Sequence, residues 1–191
     1  MLVGAVITTV LVIIINSYND LVKYRNRYKN AYAQINVQLQ RRYDLIPNLV
    51  ETAKGYMKYE KETLEAIISA RNSAITISSS AAKNPGDSKK MKQLSSAEAA
   101  LNNALNRLIG ITESYPELKA DRAMSQVMEE LSSTENRIAF ARQAFNDAVT
   151  VYNIKREAFP GNLVADSFNF TSAYLLEGVT SEVKNSPRVS F

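Results

Sequence analysis

Cysteine, histidine and tryptophan are all absent from these 191 residues. Without cysteine there is no disulfide and no thiol nucleophile. Without histidine there is no imidazole acid–base pair, and with both missing the usual structural zinc sites go too. Only 6 glycines and 5 prolines are present. That is too few for a turn-rich β fold and favours helix. No glycine-rich phosphate loop occurs, and no cofactor is expected. The net charge is +4 with a pI near 9.2. So mild an excess, spread along the chain, argues against dedicated nucleic-acid binding and suits an anionic membrane surface. Apolar residues make up 46% of the chain, enough for a real core. One domain with an anchor is the reading that length and composition favour.

The anchor is residues 1–15, MLVGAVITTVLVIII, which carry no charge. At 1.5 Å per residue the run covers about 22 Å of a ~30 Å hydrocarbon core. Extension through Tyr18 to Val22 brings it near spanning length, so the anchor is set at 1–22. Leu2, Val3, Val6, Ile7, Val10, Leu11, Ile13, Ile14 and Ile15 are its lipid-facing residues, and Tyr18 its interfacial aromatic. A cleaved secretory signal would begin basic and end on small residues; this one does neither. Lys23, Arg25, Arg27 and Lys29 follow at once. The positive-inside rule then puts the N-terminus outside and the domain in the cytoplasm. Each well-placed member of that cluster contributes about 1 kcal/mol toward anionic headgroups.

Residues 23–159 read as an antiparallel, up-and-down four-helix bundle, an all-α fold. From Asn19 to Met57, the residues Tyr28, Tyr32, Ile35, Leu39, Tyr43, Ile46, Val50, Ala53 and Met57 recur at steps of three and four, drawing one apolar stripe. Gly55 is a candidate C-cap or hinge. Further helices are predicted over 59–82, 88–113 and 118–158. The turn at 83–87 is marked by Asn84, Pro85 and Gly86, with Asp87 or Ser88 as the next N-cap. Paired acids such as Glu62/Glu65 and Glu129/Glu130 read as solvated faces.

The predicted lengths are unequal. The first and fourth helices span about 60 Å each, the second and third under ~40 Å. Near the membrane only the first and fourth would remain, and two helices cannot bury two apolar stripes. Tyr24, Tyr28, Tyr152 and Phe159 lie there. The tail, 160–191, adds Phe168, Phe170, Tyr174 and Leu175. These eight are the candidate contacts of a homo-oligomer. The tail itself has three open placements: on its own bundle, on a neighbouring subunit, or in the lipid interface.

The stretch RRYDLIPNLVE (41–51) places Pro47 inside a helical pattern. Proline removes one helical hydrogen bond and crowds the carbonyl of Tyr43, so a kink is predicted. Arg41, Arg42, Asp44 and Glu51 sit around it, with Arg71, Glu135, Asn136, Arg137 and Arg142 on other helices. Two carboxylates on one helix beside arginines, with no histidine, make a poor catalytic or metal site. The expectation is a polar layer that fixes helix register, with no enzyme activity.

Several blocks are similar to the LemA family: YNDLV (18–22), YRNRYKNAYAQINVQLQRRYDLIPNLVETAKGY (24–56), TLEAIISARNSA (63–74), YPELKA (115–120), STENRIAFARQAFNDAVTVYN (133–153), FPGN (159–162) and PRVSF (187–191). RRYDLIPNLVE and TENRIAFAR are the most specific. Tyr32 and Asn36 depart from the Trp and Asp usual there, Gln40 from a Lys, and 166–176 diverges. The resemblance implies a bacterial inner-membrane protein with one transmembrane helix, a cytoplasmic four-helix bundle and no established enzyme activity. Together these readings give a membrane-anchored structural protein that binds lipid, assembles with its own copies, and organises or remodels membrane. The alternative is an adaptor for an unidentified membrane protein such as a protease or sensor.

Overall fold

The computed structural model describes residues 1–177. The terminal block PRVSF lies outside them, as does the rest of the tail beyond Glu177. Among the described residues every regular element is helical: α1 (Leu2–Lys54), α2 (Lys61–Lys83), α3 (Ser88–Thr112), α4 (Pro116–Ala120), α5 (Arg122–Glu157) and α6 (Gly161–Ser167).

The predicted anchor and first helix are one element. α1 runs 53 residues without a break, with Pro47 inside it, which at 1.5 Å each is about 80 Å. Its stripe is buried as the periodicity requires: Tyr32, Ile35, Leu39, Tyr43, Ile46, Val50, Ala53 and Met57 are almost wholly covered. Gly55 follows the last helical residue at φ −61°, so α1 ends in right-handed geometry rather than on a left-handed glycine cap. The Asp87 side chain caps α3 by accepting from Lys90 N–H at 2.9 Å. The predicted fourth helix is two elements. Asp121 interrupts it, because its carboxylate accepts from Met124 N–H at 2.9 Å and starts α5 afresh. This is an N-cap in the chain's interior.

α1 packs along α5, and α2 packs against both α1 and α3. α5 is antiparallel to α1: Asp20 meets Lys155, Tyr32 meets Phe145, and Arg41 meets Glu130. The fourth side, between α3 and α5, is a groove of about 920 Å³ floored by Ile35, Leu39 and Leu49 of α1. Serine, asparagine and alanine on the facing sides of both helices (Ser95, Asn102 and Asn106 against Ser132 and Ala139) leave it unfilled.

At the N-terminal end of the domain α2 and α3 are missing, as their lengths predict. There α6 and an extended strap, residues 170–177, take their place on this chain's own α1 and α5. α6 ends on Asn169 at φ +55°, with Phe170 N–H donating to Ala165 C=O at 2.9 Å. That six-residue closure reverses the chain into the strap. Phe170, Ala173 and Leu176 are buried. Burial at every third residue is the period of a polyproline-type strap, not the period of two of a β-strand.

Candidate functional site

Three polar arrangements stand out against the apolar interior. The first answers the question that Pro47 raises. Proline at position 47 has no N–H, so the Tyr43 carbonyl, four residues back, loses its helical donor. Arg71 of α2 supplies one: its Nε donates to Tyr43 O at 2.6 Å. Helix α1 thereby continues through the proline with its orphan acceptor satisfied by a neighbouring helix.

The second is an internal network one residue along. Arg42 is buried and donates to Glu98 Oε2 at 3.4 Å and to the Asn102 side-chain carbonyl of α3. Tyr43 Oη donates to the other oxygen of Glu98. Burial pushes the Glu98 carboxyl up from its ordinary value, opposed by the Tyr43 hydrogen bond and the Arg42 charge. The Tyr43 hydroxyl is pushed up as well, first by burial and then by the charge of Glu98. Both oxygens of the carboxylate are occupied by protein donors. The network therefore holds α3 against α1 and offers no free base.

The third is the seating of the strap. Asn146 and Asn153 stand seven residues apart on α5, two turns and about 10.5 Å along one face. Each side-chain amide pairs with one strap residue in both directions. Asn153 donates to Ala173 C=O at 2.8 Å and accepts from Ala173 N–H at 3.0 Å. Asn146 does the same with Leu176, at 3.1 and 2.9 Å. Three strap residues at about 3.1 Å each cover a nearly equal length, so the two spacings match. Tyr152 Oη donates to Thr171 C=O at 2.8 Å, and Arg156 Nε to Phe170 C=O at 2.7 Å. On the other edge Tyr174 N–H donates to Gly86 C=O at 2.8 Å. Gly86 sits at φ +89°, and a Cβ there would come within 3.0 Å of the Ala173 Cβ. Only glycine suits both demands. Leu176 and Glu177 of the strap are among the residues that line the α3/α5 groove.

The residues singled out in the sequence separate into groups. Of the polar set, Arg42 and Arg71 enter the interior as described. Arg41 forms an exposed pair with Glu130 at 2.8 Å. Asp44 accepts from Gln40 at 2.8 Å, and Glu51 from Lys54 at 2.6 Å, both on the surface. Glu135, Asn136 and Arg137 are exposed; Glu135 and the half-buried Arg142 line the groove. Of the eight expected contacts, Tyr28, Tyr152 and Phe170 are buried within this chain and Tyr24 is half-buried, while Phe159, Phe168, Tyr174 and Leu175 remain exposed. Lys23, Arg27 and Lys29 are exposed, whereas Arg25 lies 4.8 Å from the centre of the Phe170 ring. The apolar residues from Leu2 to Ile15 are all exposed, and this end of α1 is apolar enough to cross a membrane. Glu98, Asn102, Asn146 and Asn153 were not among the predicted positions. Glu98 had a signal: it stands four residues after Leu94 and three before Leu101, a core position by helical period.

The chain resembles several characterised proteins at low identity. Magnetosome protein MamQ of Magnetospirillum gryphiswaldense is 28% identical over 176 residues, which cover 84% of this chain and 63% of that protein. Magnetosome protein MamQ 2 of Paramagnetospirillum magneticum is 26% identical over 171 residues, with 82% and 63% covered. Protein LemA of Metamycoplasma hominis is 26% identical over 175 residues, with 87% and 75% covered. The chain thus spans less than two thirds of the MamQ proteins it matches. None of these names states an enzyme activity. The LemA family matches residues 31–191, and so takes in α1 from Ala31 onward, α2 to α6 and the strap: the chain belongs to the LemA family.

Proposed function

We propose that this protein is a non-enzymatic, membrane-anchored scaffold. One observation carries the reading: α1 is at once the exposed apolar span and the central core helix, with no linker between them. A catalytic domain tethered to a membrane needs only a flexible tether. A helix shared between bilayer and core fixes height and orientation, which is what a structural element needs. The four long helices act as an up-and-down bundle around α1. In the proposed topology the N-terminus lies outside a bacterial inner membrane. The domain sits in the cytoplasm, held there by Lys23, Arg27 and Lys29.

Self-assembly is part of the proposal, and it uses the large apolar side chains that the strap leaves outside the chain's own core, Tyr174 and Leu175. The chain has no cysteine, so a single Leu175→Cys variant reports on contacts between copies. Oxidative cross-linking in native membranes should give a dimer band from Leu175→Cys and none from Asn136→Cys. Monomer alone from both would sink self-assembly.

A second reading, an adaptor, is favoured by the α3/α5 groove. It is open along one side and lined by both apolar and polar residues, as a peptide-binding groove is. A photo-crosslinker at Asn106 would then trap one defined membrane protein, and Asn103→Arg, which narrows the groove, would abolish the adduct. An adduct that survives Asn103→Arg counts against this reading.

A further inference from the structure

We infer that α6 and the turn before it form a lipid-contacting foot that sits in the interfacial layer of the same bilayer α1 enters. This rests on the anchored reading proposed above and adds a second, separate membrane contact to it.

The apolar run of α1 ends at Ile15, which is 56% exposed. The hydrocarbon boundary therefore falls at or beyond Ile15. Tyr18 is three residues on, about 4.5 Å along the helix. The headgroup layer outside the hydrocarbon core is about 5–7 Å deep on each side. Tyr18 lies within it, and its ring packs at 5.0 Å on Phe168 and 5.5 Å on Phe170. α5 brings Lys155 level with Asp20, at 3.5 Å. It runs on two residues to Glu157, about 3 Å nearer the membrane. The end of α5 and Phe168, which bracket α6 and the turn before it, are then both at about the height of Tyr18.

The side chains fit that place. α6 buries Val164 and Ala165 but leaves Phe159, Leu163 and Phe168 exposed at 80%, 59% and 54%. A water-facing foot would leave three large apolar groups uncovered at one end of the domain. At the interface these aromatic and aliphatic groups are in their preferred medium. The turn cannot readily move away, because a Cβ on Gly161 would strike the Lys155 carbonyl; α6 is folded tightly under the end of α5. The foot's charges, Lys155, Arg156, Glu157 and Asp166, cancel. Its attachment should therefore depend on apolar insertion and little on salt or headgroup charge. It adds cross-section to one leaflet only, on one side of α1.

The chain lacks tryptophan, so single-tryptophan variants report without background. Full-length Ile7→Trp, Leu163→Trp and Phe140→Trp are each placed in phosphatidylcholine nanodiscs, with and without lipid brominated near the carboxyl end of its chains. Circular dichroism checks that each is folded, and Phe168→Trp serves as the second foot reporter. Leu163→Trp should lose much of its emission to brominated lipid, as Ile7→Trp does, while Phe140→Trp on the middle of α5 keeps its emission. Raised salt should leave the loss unchanged. Quenching of Ile7→Trp alone would overturn the foot and leave the anchor standing. A blue-shifted but unquenched Leu163→Trp would also overturn it, since protein and not lipid would then cover the site. No quenching at Ile7 or Leu163 would remove the anchored reading and the foot together.

Discussion

The two ends of the domain bury the same stripe of α1 in different ways. Far from the span, α2, α3 and α5 cover it with helices. A buried ion pair, Arg42–Glu98, ties α3 down there, and Arg71 mends the gap that Pro47 leaves. Near the span, α2 and α3 have run out. A seven-residue helix and the extended strap cover the stripe instead, seated by side-chain amides of α5. The far end is held by its core and one charged tie. The near end is held by backbone hydrogen bonds to a segment that contributes three buried apolar side chains, Phe170, Ala173 and Leu176. An extended segment hydrogen-bonded only along its edges is the kind of element that opens first. The strap should therefore be the more easily released cover.

The largest effect is expected at the charged tie. Arg42→Ala leaves Glu98 buried without its cation and should lose about 3–5 kcal/mol. Arg42→Met with Glu98→Leu should recover most of that loss. Chemical denaturation measures both; a small loss in Arg42→Ala would mean the pair is solvated. Next come the strap seats. Asn153→Ala removes two hydrogen bonds and should cost about 1–3 kcal/mol. Its mark is local: amide exchange should quicken in 22–32 and 145–157 and stay unchanged in α2 and α3. Uniform quickening would erase the distinction between the two ends.

The proline repair gives a coupled prediction. Arg71→Met should cost about 1–3 kcal/mol by orphaning the Tyr43 carbonyl. In a Pro47→Ala background the restored N–H supplies the donor, so the same change should cost clearly less. A double-mutant cycle reads the difference; additivity would show that Arg71 does not serve that carbonyl. pH separates two acids of opposite sign. Glu98 is raised above 4.5, chiefly by burial. Its contribution is thus present below that value and fades as pH rises through the folded one. Asp121 is lowered below 3.8, first by the Met124 N–H and then by the Tyr56 hydroxyl. Its contribution is present above that value and is lost as pH falls. Relative to the parent chain, Glu98→Gln should gain stability as pH rises through the weakly acidic range. The deficit of Asp121→Asn should shrink on acidification. Melting curves across pH check both. Smallest is the surface: Arg41→Ala should change stability by about 0.5 kcal/mol or less.

Much of this was legible in the chain. The stripe from Tyr28 to Met57 and the shortfall of the two middle helices follow from period and length. So does the need for some cover over the near end. The turn at 83–87 narrows the next cap to Asp87 or Ser88, of which Asp87 serves. What periodicity could not show was the break at Asp121, because a single capping aspartate inside an apolar pattern looks like one more exposed acid. Nor could it show which arginine goes inside: Arg41 and Arg42 are neighbours, and only the rotation of α1 against α3 sends one in and one out. The strap was hidden for a different reason. Its buried positions recur every third residue, a period that belongs to neither helix nor strand. Its seats, Asn146 and Asn153, are amides that read as surface until the partner backbone is known.

The claim on which the account rests is that span and core are one rod. Amide hydrogen exchange of the full-length protein in lipid nanodiscs tests it at the crossing point, residues 16–24. The account predicts slow exchange there, continuous with the membrane segment on one side and the core on the other. A fast-exchanging break within 16–24 would contradict it, and would make the domain a tethered one.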